Sequence, residues 1–418
     1  MAVARDADKS NRFHLSDGFN SRSASWRRRR LAVVRRAIDV LVALLVFACA
    51  QGASASAAIT WSVFRDSLDG HVFPSAAIAL ATTKYPYNPF EVEVNNVPAG
   101  TQIKLVVSCS RIMYASTTSF TTKGNKAHCF ATVSTRWRFS RLAGMRQKIP
   151  ADVMYTLYAN RQKLGRRMVS VVVNSVNACP YAFVGRKRHI LANLSPLFAA
   201  YVNPNDPALD GVLKQALKSG YVKQFDGYQA SPAGVIRQVA AIWLVLEQRG
   251  LHYSSIAAPV VEPGRILYQR VRSVGQSLHS AQANCVDGTV LFASALERIG
   301  ITCDLVQPPG HMFLRFFAAK GHKMPVYLET TLLGAHAGID PHLVNPVGRV
   351  FPWYDFRDRP FEAAVQDGLF EAVKDSQAAA RVKGLAARQW LYSVISIARA
   401  RKFGIMPLPA SSHRGGGR

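Results

Sequence analysis

Short stretches of alternating or β-branched residues dominate the chain between about residues 73 and 184, and segments rich in Ser and Thr connect them. The clearest stretches are residues 90–95, 102–107 and 168–173, with a turn at residues 97–100 between the first two. This pattern predicts an all-β domain over residues 73–184. It is typical of an Ig-like sandwich, with a barrel as the alternative.

Helical spacing of apolar residues replaces this alternation beyond a predicted link at residues 177–188. Residues 210–219 and 233–249 predict two helices of the second half of the chain. Near the end of the chain, residues 361–375 and 376–400 predict two amphipathic helices. We expect these last two, within residues 351–405, to pack on the preceding domain, and residues 406–418 to form a disordered tail.

A further helix is predicted to begin at Cys285, because apolar residues recur with helical spacing from there to Ile299, and Gly300 ends the pattern. Asn284 is a suitable N-cap, since its side-chain oxygen can accept a hydrogen bond from a free N–H of the first turn. Asp287 lies three residues later, close to a capping-box position and favourable beside the positive end of a helix. Cys285 is therefore expected at the first helical position.

Strands are predicted after this helix, at residues 301–306, 312–317 and 326–330. His311 directly precedes the second of these strands, and Glu329 lies in the third. If the two strands are antiparallel neighbours, the imidazole and the carboxylate can face each other across the sheet.

The three residues together have the chemistry of an activated thiol. The thiolate is the reactive form of cysteine, and a helix N-terminus or a neighbouring imidazolium lowers the pKa of the thiol. The base must in turn be oriented by a third group. Taken singly, Cys285 is also explained as a small buried residue, His311 as a strand-end histidine and Glu329 as a surface charge. Their joint order and spacing favour a catalytic triad.

The motifs Cys-x-Asp-Gly-Thr at residues 285–289, Pro-Gly-His at residues 309–311 and Glu-Thr-Thr at residues 329–331 resemble those of the transglutaminase-like superfamily. This superfamily is a branch of the papain-like cysteine enzymes, and the resemblance extends over about residues 191–347. It implies an α+β core at residues 190–350, in which a helix bearing the cysteine packs on an antiparallel sheet bearing the histidine and the carboxylate.

The resemblance implies that Cys285 is the nucleophile, His311 the general base and acid, and Glu329 the orienting carboxylate. The chain departs from the family at two positions. It has Ala283 where the family more often has glycine, and Glu329 where the family more often has aspartate. Both departures leave the substrate class open.

The oxyanion of a reaction intermediate has one natural donor, the backbone N–H of Cys285. The amide of Gln282 is a second candidate, although a loop side chain bonded to the backbone explains it equally well. Asp287 is expected to support the helix start, or to act only as a cap. Three further histidines lie nearby and are alternatives for the role of base: His322, His336 and His342. Of these, His322 and His336 are predicted to lie in a turn or loop.

Basic residues outnumber acidic ones by 52 to 25, which gives the chain of 418 residues a formal net charge of +27. The length favours two or three domains. Residues 1–58 contain ten Lys or Arg and four Asp, so most of the excess lies further along the chain. Scattered basic residues are typical of a solvated surface. A functional alternative is attraction to anionic envelope polymers or to a membrane surface. No nucleic-acid partner is expected, because no recognition motif of that class is present.

The N-terminal segment, residues 1–58, has the pattern of a secretory signal peptide. Arginines precede an apolar run at residues 37–50, and small residues follow it. The run is short for a membrane-spanning helix, although retention as an anchor is the alternative. We therefore expect export to the periplasm or the cell envelope.

Export changes the interpretation of the cysteines, because an oxidising compartment permits disulfides. Without Cys49, five remain, an odd number that suits one free thiol and up to two disulfides. Cys109 and Cys129 are the most natural pair, and Cys179 and Cys303 are expected either to pair or to stay reduced. The chain has neither Cys-x-x-Cys nor His-Glu-x-x-His, so no metal site and no cofactor are expected.

Two functions fit these observations. The first is an exported cysteine enzyme that acts on amide bonds of proteins or peptides through an acyl-thioester, with hydrolysis, deamidation and transamidation all open. The alternative is a catalytically inactive binding or scaffolding protein of the cell envelope.

Overall fold

The computed structural model of the protein describes residues 58–64, 70–185, 190–254, 265–335, 359–384 and 392–410. From Ile59 onward the chain forms one compact unit, and one large hydrophobic cluster runs through both of its halves. The predicted signal peptide lies outside the described residues, apart from Ala58, and so do His336 and His342.

The first half of this unit is built from two β-sheets. A three-stranded sheet has the order β1-β3-β6, and a five-stranded sheet has the order β2-β8-β7-β4-β5. The strands are β1 (Thr60–Phe64), β2 (His71–Val72), β3 (Glu91–Val97), β4 (Gln102–Cys109), β5 (Met113–Thr121), β6 (Lys126–Thr132), β7 (Ile149–Ala159) and β8 (Gln162–Val173). Two short helices, α1 (Pro74–Ala79) and α2 (Phe139–Gly144), connect them.

The predicted strands of this half are confirmed, and their alternation has the expected cause. In β3 the side chains of Val92 and Val94 are buried, and in β4 those of Ile103, Leu105 and Val107, at every second position. The inward faces of the two sheets therefore supply the core of this half. The β region begins at β1, earlier than the predicted residue 73.

A third sheet contradicts the predicted link at residues 177–188. There β9 (Ala178–Val184) lies between β10 (Ile190–Asn193) and β12 (Ile266–Arg270), in the order β10-β9-β12. Pro180 made this segment resemble a linker. Its partner Tyr268 lies at an irregularity in the register, which is where a sheet accommodates a proline. The segment therefore belongs to a sheet shared with the second half of the chain.

The second half combines helices with a four-stranded antiparallel sheet of order β16-β15-β14-β17. Its helices are α3 (Ala208–Lys218), α4 (Pro232–Gln248), α5 (Val274–Ser280), α6 (Cys285–Arg298), α7 (Arg359–Ala380) and α8 (Ile397–Phe403). Its strands are β11 (His252–Tyr253), β13 (Gln282–Ala283), β14 (Cys303–Gln307), β15 (Phe313–Ala319), β16 (Lys323–Leu328) and β17 (Ser393–Ser396). Short 3-10 helices occupy Ser195–Tyr201, Gly227–Gln229 and Thr330–Leu332.

Helix α6 packs on β14 and β15, so the predicted α+β class is confirmed. Helices α3 and α4 agree with their predicted bounds to within two residues. Trp243 of α4 is fully buried against Phe292, as expected for a core residue.

The C-terminal region differs from its prediction. Helix α7 continues to Ala380, and the single second helix predicted at residues 376–400 is wrong. Strand β17 lies within that range and pairs with β14, and α8 begins directly after it. The tail predicted to be disordered from residue 406 is also partly wrong. The N–H of Met406 donates to Ala79 O (3.1 Å), and that of Leu408 donates to Ala200 O (2.7 Å). Long-range pairing of this kind leaves no periodicity in the local sequence.

The predicted disulfide between Cys109 and Cys129 is wrong, since all five cysteines of the described residues are free thiols. Cys109 ends β4 in the five-stranded sheet, whereas Cys129 lies in β6 of the three-stranded sheet. No helix among the described residues combines the length and the apolar character that crossing a membrane requires.

Candidate active site

Cys285 is the first residue of α6, as predicted, and its side chain is half-buried. A capping box holds this end of the helix. The Asp287 N–H donates to Asn284 Oδ1 (2.9 Å), and the Asn284 N–H donates to Asp287 Oδ2 (3.2 Å). The remaining N–H groups of the first turn, including that of Cys285, have no carbonyl partner within the helix. The thiol therefore lies beside free N–H dipoles that stabilise a negative charge.

Asp287 also ties the helix start to the segment that follows β12. Its carboxylate accepts the Arg272 N–H (2.7 Å) and forms an ion pair with Arg272 Nη1 (2.6 Å). Burial raises the pKa of Asp287, and the charge and hydrogen bonds of Arg272 oppose that rise. With a side chain only 1% exposed, Asp287 cannot meet a substrate. Its predicted supporting role is thus that of a buried anchor.

His311 and Glu329 meet as predicted, because β15 and β16 are antiparallel neighbours with Leu314 opposite Leu328. His311 lies two residues before β15, and Glu329 directly follows β16. His311 Nε2 is 2.7 Å from Glu329 Oε2. The imidazole is 29% exposed and the carboxylate 2%, so the histidine is the member of the pair that a substrate can reach.

Cys285 also interacts with the His311 imidazole. Burial lowers the pKa of His311, but hydrogen bonds and charge from Cys285 and Glu329 raise it to about 10. With Nε2 engaged by Glu329, Nδ1 is the ring nitrogen left for the thiol. The thiol and the carboxylate therefore both act on the same imidazole, and these are the groups that an activated nucleophile requires.

Helix α7 and Thr331 fix the carboxylate. Glu329 Oε1 accepts both the N–H and the hydroxyl of Thr331, at 2.9 and 2.7 Å, and the Glu329 N–H donates to Ala364 O of α7 (2.9 Å). Gly368 permits this contact, because a Cβ there would lie 2.8 Å from Leu328 N and 3.0 Å from Glu329 N. The orientation of Glu329 thus depends on a helix that begins thirty residues further along the chain.

Thr289 connects the segments that carry the three residues. Its hydroxyl donates to Cys285 O (2.7 Å), lies 3.2 Å from Met312 O and is 3.4 Å from Thr330 Oγ1. Gly288 allows the same close packing, since a Cβ there would lie 2.8 Å from Thr330 Oγ1. The Gly-Thr of the first motif and the Thr-Thr of the last therefore have a geometric reason to occur together.

Tyr253 is a site residue to which the sequence assigned no role. Tyr253 lies on β11 and is 42% exposed. It pairs with Ala283 of β13, and Ala283 is two residues before Cys285. Burial raises the pKa of Tyr253, and the charges of Cys285 and Glu329 raise it further. The only sequence signal was the resemblance of its Tyr-Ser-Ser segment to the approach to the core in transglutaminase-like domains.

Two acidic residues of α7, Asp367 and Asp375, interact electrostatically with His311. Burial raises the pKa of Asp367, and the charges of Glu329 and Glu371 raise it further, while His311 opposes the rise. Burial likewise raises the pKa of Asp375, which also interacts with His311. The region around the imidazole is therefore locally acidic within a strongly basic chain.

Gln282 and His322 are the two remaining candidates of the sequence that the structure describes. Gln282 is half-buried on β13 opposite His252, and its role as an oxyanion donor stays a prediction. His322 lies in the turn between β15 and β16 with a left-handed φ of 59°, and its ring packs 4.8 Å from that of Phe317. His311, not His322, has the carboxylate partner.

No protein-family model matches the chain, and no curated protein matches it either. Within the described parts of the chain, no group of three or more His, Cys, Asp or Glu side chains is placed to hold a metal ion.

Proposed function

We propose that the protein is a cysteine enzyme of the transglutaminase-like superfamily that acts on amide bonds of proteins or peptides through an acyl-thioester. The observation that carries this proposal is the series of Cys285 at a helix start, His311 and the buried Glu329, with 2.7 Å between His311 Nε2 and Glu329 Oε2. No cofactor enters the proposal, because a thiol, an imidazole and a carboxylate suffice for acyl transfer.

In the first half-reaction the Cys285 thiolate attacks the amide carbonyl and a carbon–sulfur bond forms. The negative charge moves to the carbonyl oxygen, where the free Cys285 N–H donates to it, with the Gln282 amide as a proposed second donor. Protonated His311 gives its proton to the leaving nitrogen, the carbon–nitrogen bond breaks, and an acyl-thioester remains.

In the second half-reaction a nucleophile attacks the thioester carbonyl while neutral His311 accepts its proton. The carbon–sulfur bond then breaks, the acyl product leaves, and the Cys285 thiolate and protonated His311 are restored. Water completes a hydrolysis or a deamidation, and an amine completes a transamidation. Glu329 holds the imidazole in position and stabilises its positive form in both halves.

The place of action that fits the N-terminal pattern is the periplasm or the cell envelope, either as a released protein or anchored through residues 37–58. Proteins or peptides of that compartment are the proposed substrates.

The test is the rate of iodoacetamide alkylation as a function of pH, with the modified cysteines mapped by mass spectrometry. Cys129 is an internal control, because it is also half-buried and burial raises the pKa of its thiol. We expect Cys285 to react first, with an apparent pKa well below the value of about 8.5 for a free thiol. We expect His311→Ala to remove that advantage and Cys285→Ser to abolish the fast labelling without unfolding the protein.

The proposal is contradicted if Cys285 shows the apparent pKa of a free thiol and is alkylated no faster than Cys129. The alternative, a catalytically inactive binding or scaffolding protein of the envelope, would then be the better account.

A further inference from the structure

A long segment of the β domain contains no acidic residue. Residues 94–151 include nine Lys or Arg and no Asp or Glu. All of these residues are described, and they extend from the end of β3 to the start of β7. The excess positive charge of the chain is therefore partly concentrated on one portion of this domain.

Folding brings several of these residues together around one exposed tyrosine. The Tyr114 N–H donates to Arg136 O (2.8 Å), and the Arg138 N–H donates to Ile112 O (2.9 Å), so the two segments lie side by side. The guanidinium carbons of Arg136 and Arg138 are 5.6 and 4.1 Å from the centre of the Tyr114 ring. Tyr114 is 46% exposed between these cations.

Two further arginines extend this surface. Arg111 Nη1 donates to Pro150 O (3.0 Å), and Arg141 Nη1 reaches Ser110 O (3.4 Å). We name the surface formed by Arg111, Tyr114, Arg136, Arg138 and Arg141 the basic face. Among the described residues, no carboxylate forms an ion pair with any of these four guanidinium groups. Backbone carbonyls accept hydrogen bonds from Arg111 and Arg141, and the Tyr114 ring packs against Arg136 and Arg138.

We infer that the basic face binds the phosphate headgroups of an anionic bilayer and thereby orients the β domain on a membrane. Guanidinium groups pair well with phosphate oxygens. Clusters of basic residues are attracted to anionic lipid surfaces. A bilayer fits better than a soluble polyanion because Tyr114 presents an exposed aromatic ring with a polar tip, the type of side chain enriched at membrane–water interfaces.

The inference does not depend on whether Cys285 is catalytic.

The experiment uses residues 59–418, which form a compact unit containing the whole described core. Binding is measured by co-sedimentation with vesicles of phosphatidylcholine alone or of phosphatidylcholine mixed with phosphatidylglycerol. The test variant carries Arg111→Gln, Arg136→Gln and Arg141→Gln, three exposed residues whose replacement leaves the packing of Arg138 on Tyr114 in place.

The matched control removes the same charge elsewhere on the domain. Arg161→Gln, Lys163→Gln and Arg166→Gln alter exposed residues near the hairpin between β7 and β8, at the end of β7 opposite to Pro150. A cation close to an anionic membrane contributes a factor of about five to binding, so the test variant should bind the mixed vesicles about 100-fold more weakly than the parent. We expect the control to lose less than about five-fold and added salt to weaken the parent.

Equal losses in both variants would show attraction by net charge alone and would overturn the inference. Unchanged binding of the test variant would also overturn it. A third contrary outcome is strong binding of single-stranded RNA in the absence of vesicle binding, which would make nucleic acid the partner. Thermal unfolding of each variant shows whether a lost signal comes from lost folding.

Discussion

Replacing Gly288 by alanine tests the packing that holds the helix beginning at Cys285 against the segment that carries Glu329. A Cβ at this position would lie 2.8 Å from Thr330 Oγ1 and 3.1 Å from Thr330 Cβ, closer than real contacts allow. Thr330 directly follows Glu329 and its side chain is short, so relief requires movement of the backbone next to the triad.

The magnitude follows from two opposing effects. Alanine in a helix interior is favoured over glycine by about 0.5–1 kcal/mol. Overpacking a buried position costs about 1–3 kcal/mol. Gly211 is a matched control, because both glycines are the fourth residue of their helix, and a Cβ at Gly211 would first meet the flexible end of Arg249, at 3.2 Å. The propensity gain is then common to both variants, so Gly288→Ala should be less stable than Gly211→Ala by about 1–3 kcal/mol.

The assay is the free energy of unfolding from urea denaturation, followed by the pH dependence of Cys285 alkylation. We expect Gly288→Ala to raise the apparent pKa of the alkylation profile relative to Gly211→Ala, because Thr330 carries Glu329 away from His311. Adding Thr330→Ala removes the oxygen that clashes, so the double variant should recover part of the lost stability. Equal stability of the two glycine variants, within about 0.5 kcal/mol, would refute the packing argument.

Three further predictions concern the site. Glu329→Gln should lower the pKa of His311 from about 10 by roughly 1–3 units, seen in an NMR titration of the imidazole; an unchanged titration would refute their coupling. Because folding raises this pKa, the stabilisation is present below the ordinary histidine value and is lost as pH rises through about 10, so unfolding free energies should decline there in the parent and at lower pH in the variant. Thr289→Val should cost about 1–2 kcal/mol in urea denaturation while Thr289→Ser costs less, and the reverse order would exclude its hydroxyl as the link. Arg272→Met should cost about 3 kcal/mol by the same measurement, because Asp287 keeps a buried charge without its cation; near-neutral stability would contradict the anchor.

The start of α6 and the pairing of His311 with Glu329 were predictable because their signals are local. The N-cap Asn284, the capping partner Asp287 and the apolar spacing together specify a helix that begins at Cys285. The pairing of His311 with Glu329 follows once two adjacent strands are joined by a tight turn, since a hairpin determines its own register.

Contacts between distant segments were not predictable in the same way. The Glu329 N–H bonds Ala364 of α7, and a Gly368 inside a helix is explained only by the strand that it contacts. Tyr253 joins the site through a two-residue parallel pairing with β13, which is too short to leave a pattern. Proline is disfavoured inside a strand, so Pro180 favoured a linker in the sequence. The irregular register between β9 and β12 accommodates it in the structure.

The reliance of Glu329 on α7, and of β14 on β17, has a consequence for when the proposed activity can begin. A chain emerging from its N-terminus presents Cys285, His311 and Glu329 well before residues 359–396 exist outside the synthesis or export machinery. Until those residues arrive, the Glu329 N–H lacks Ala364 and the edge of β14 is open. We expect the Cys285 thiol to react like an ordinary cysteine during that interval, so that the proposed activity begins only once the chain is complete. A fragment that ends at residue 350 contains Cys285, His311 and Glu329, and we expect its thiol to stay unactivated.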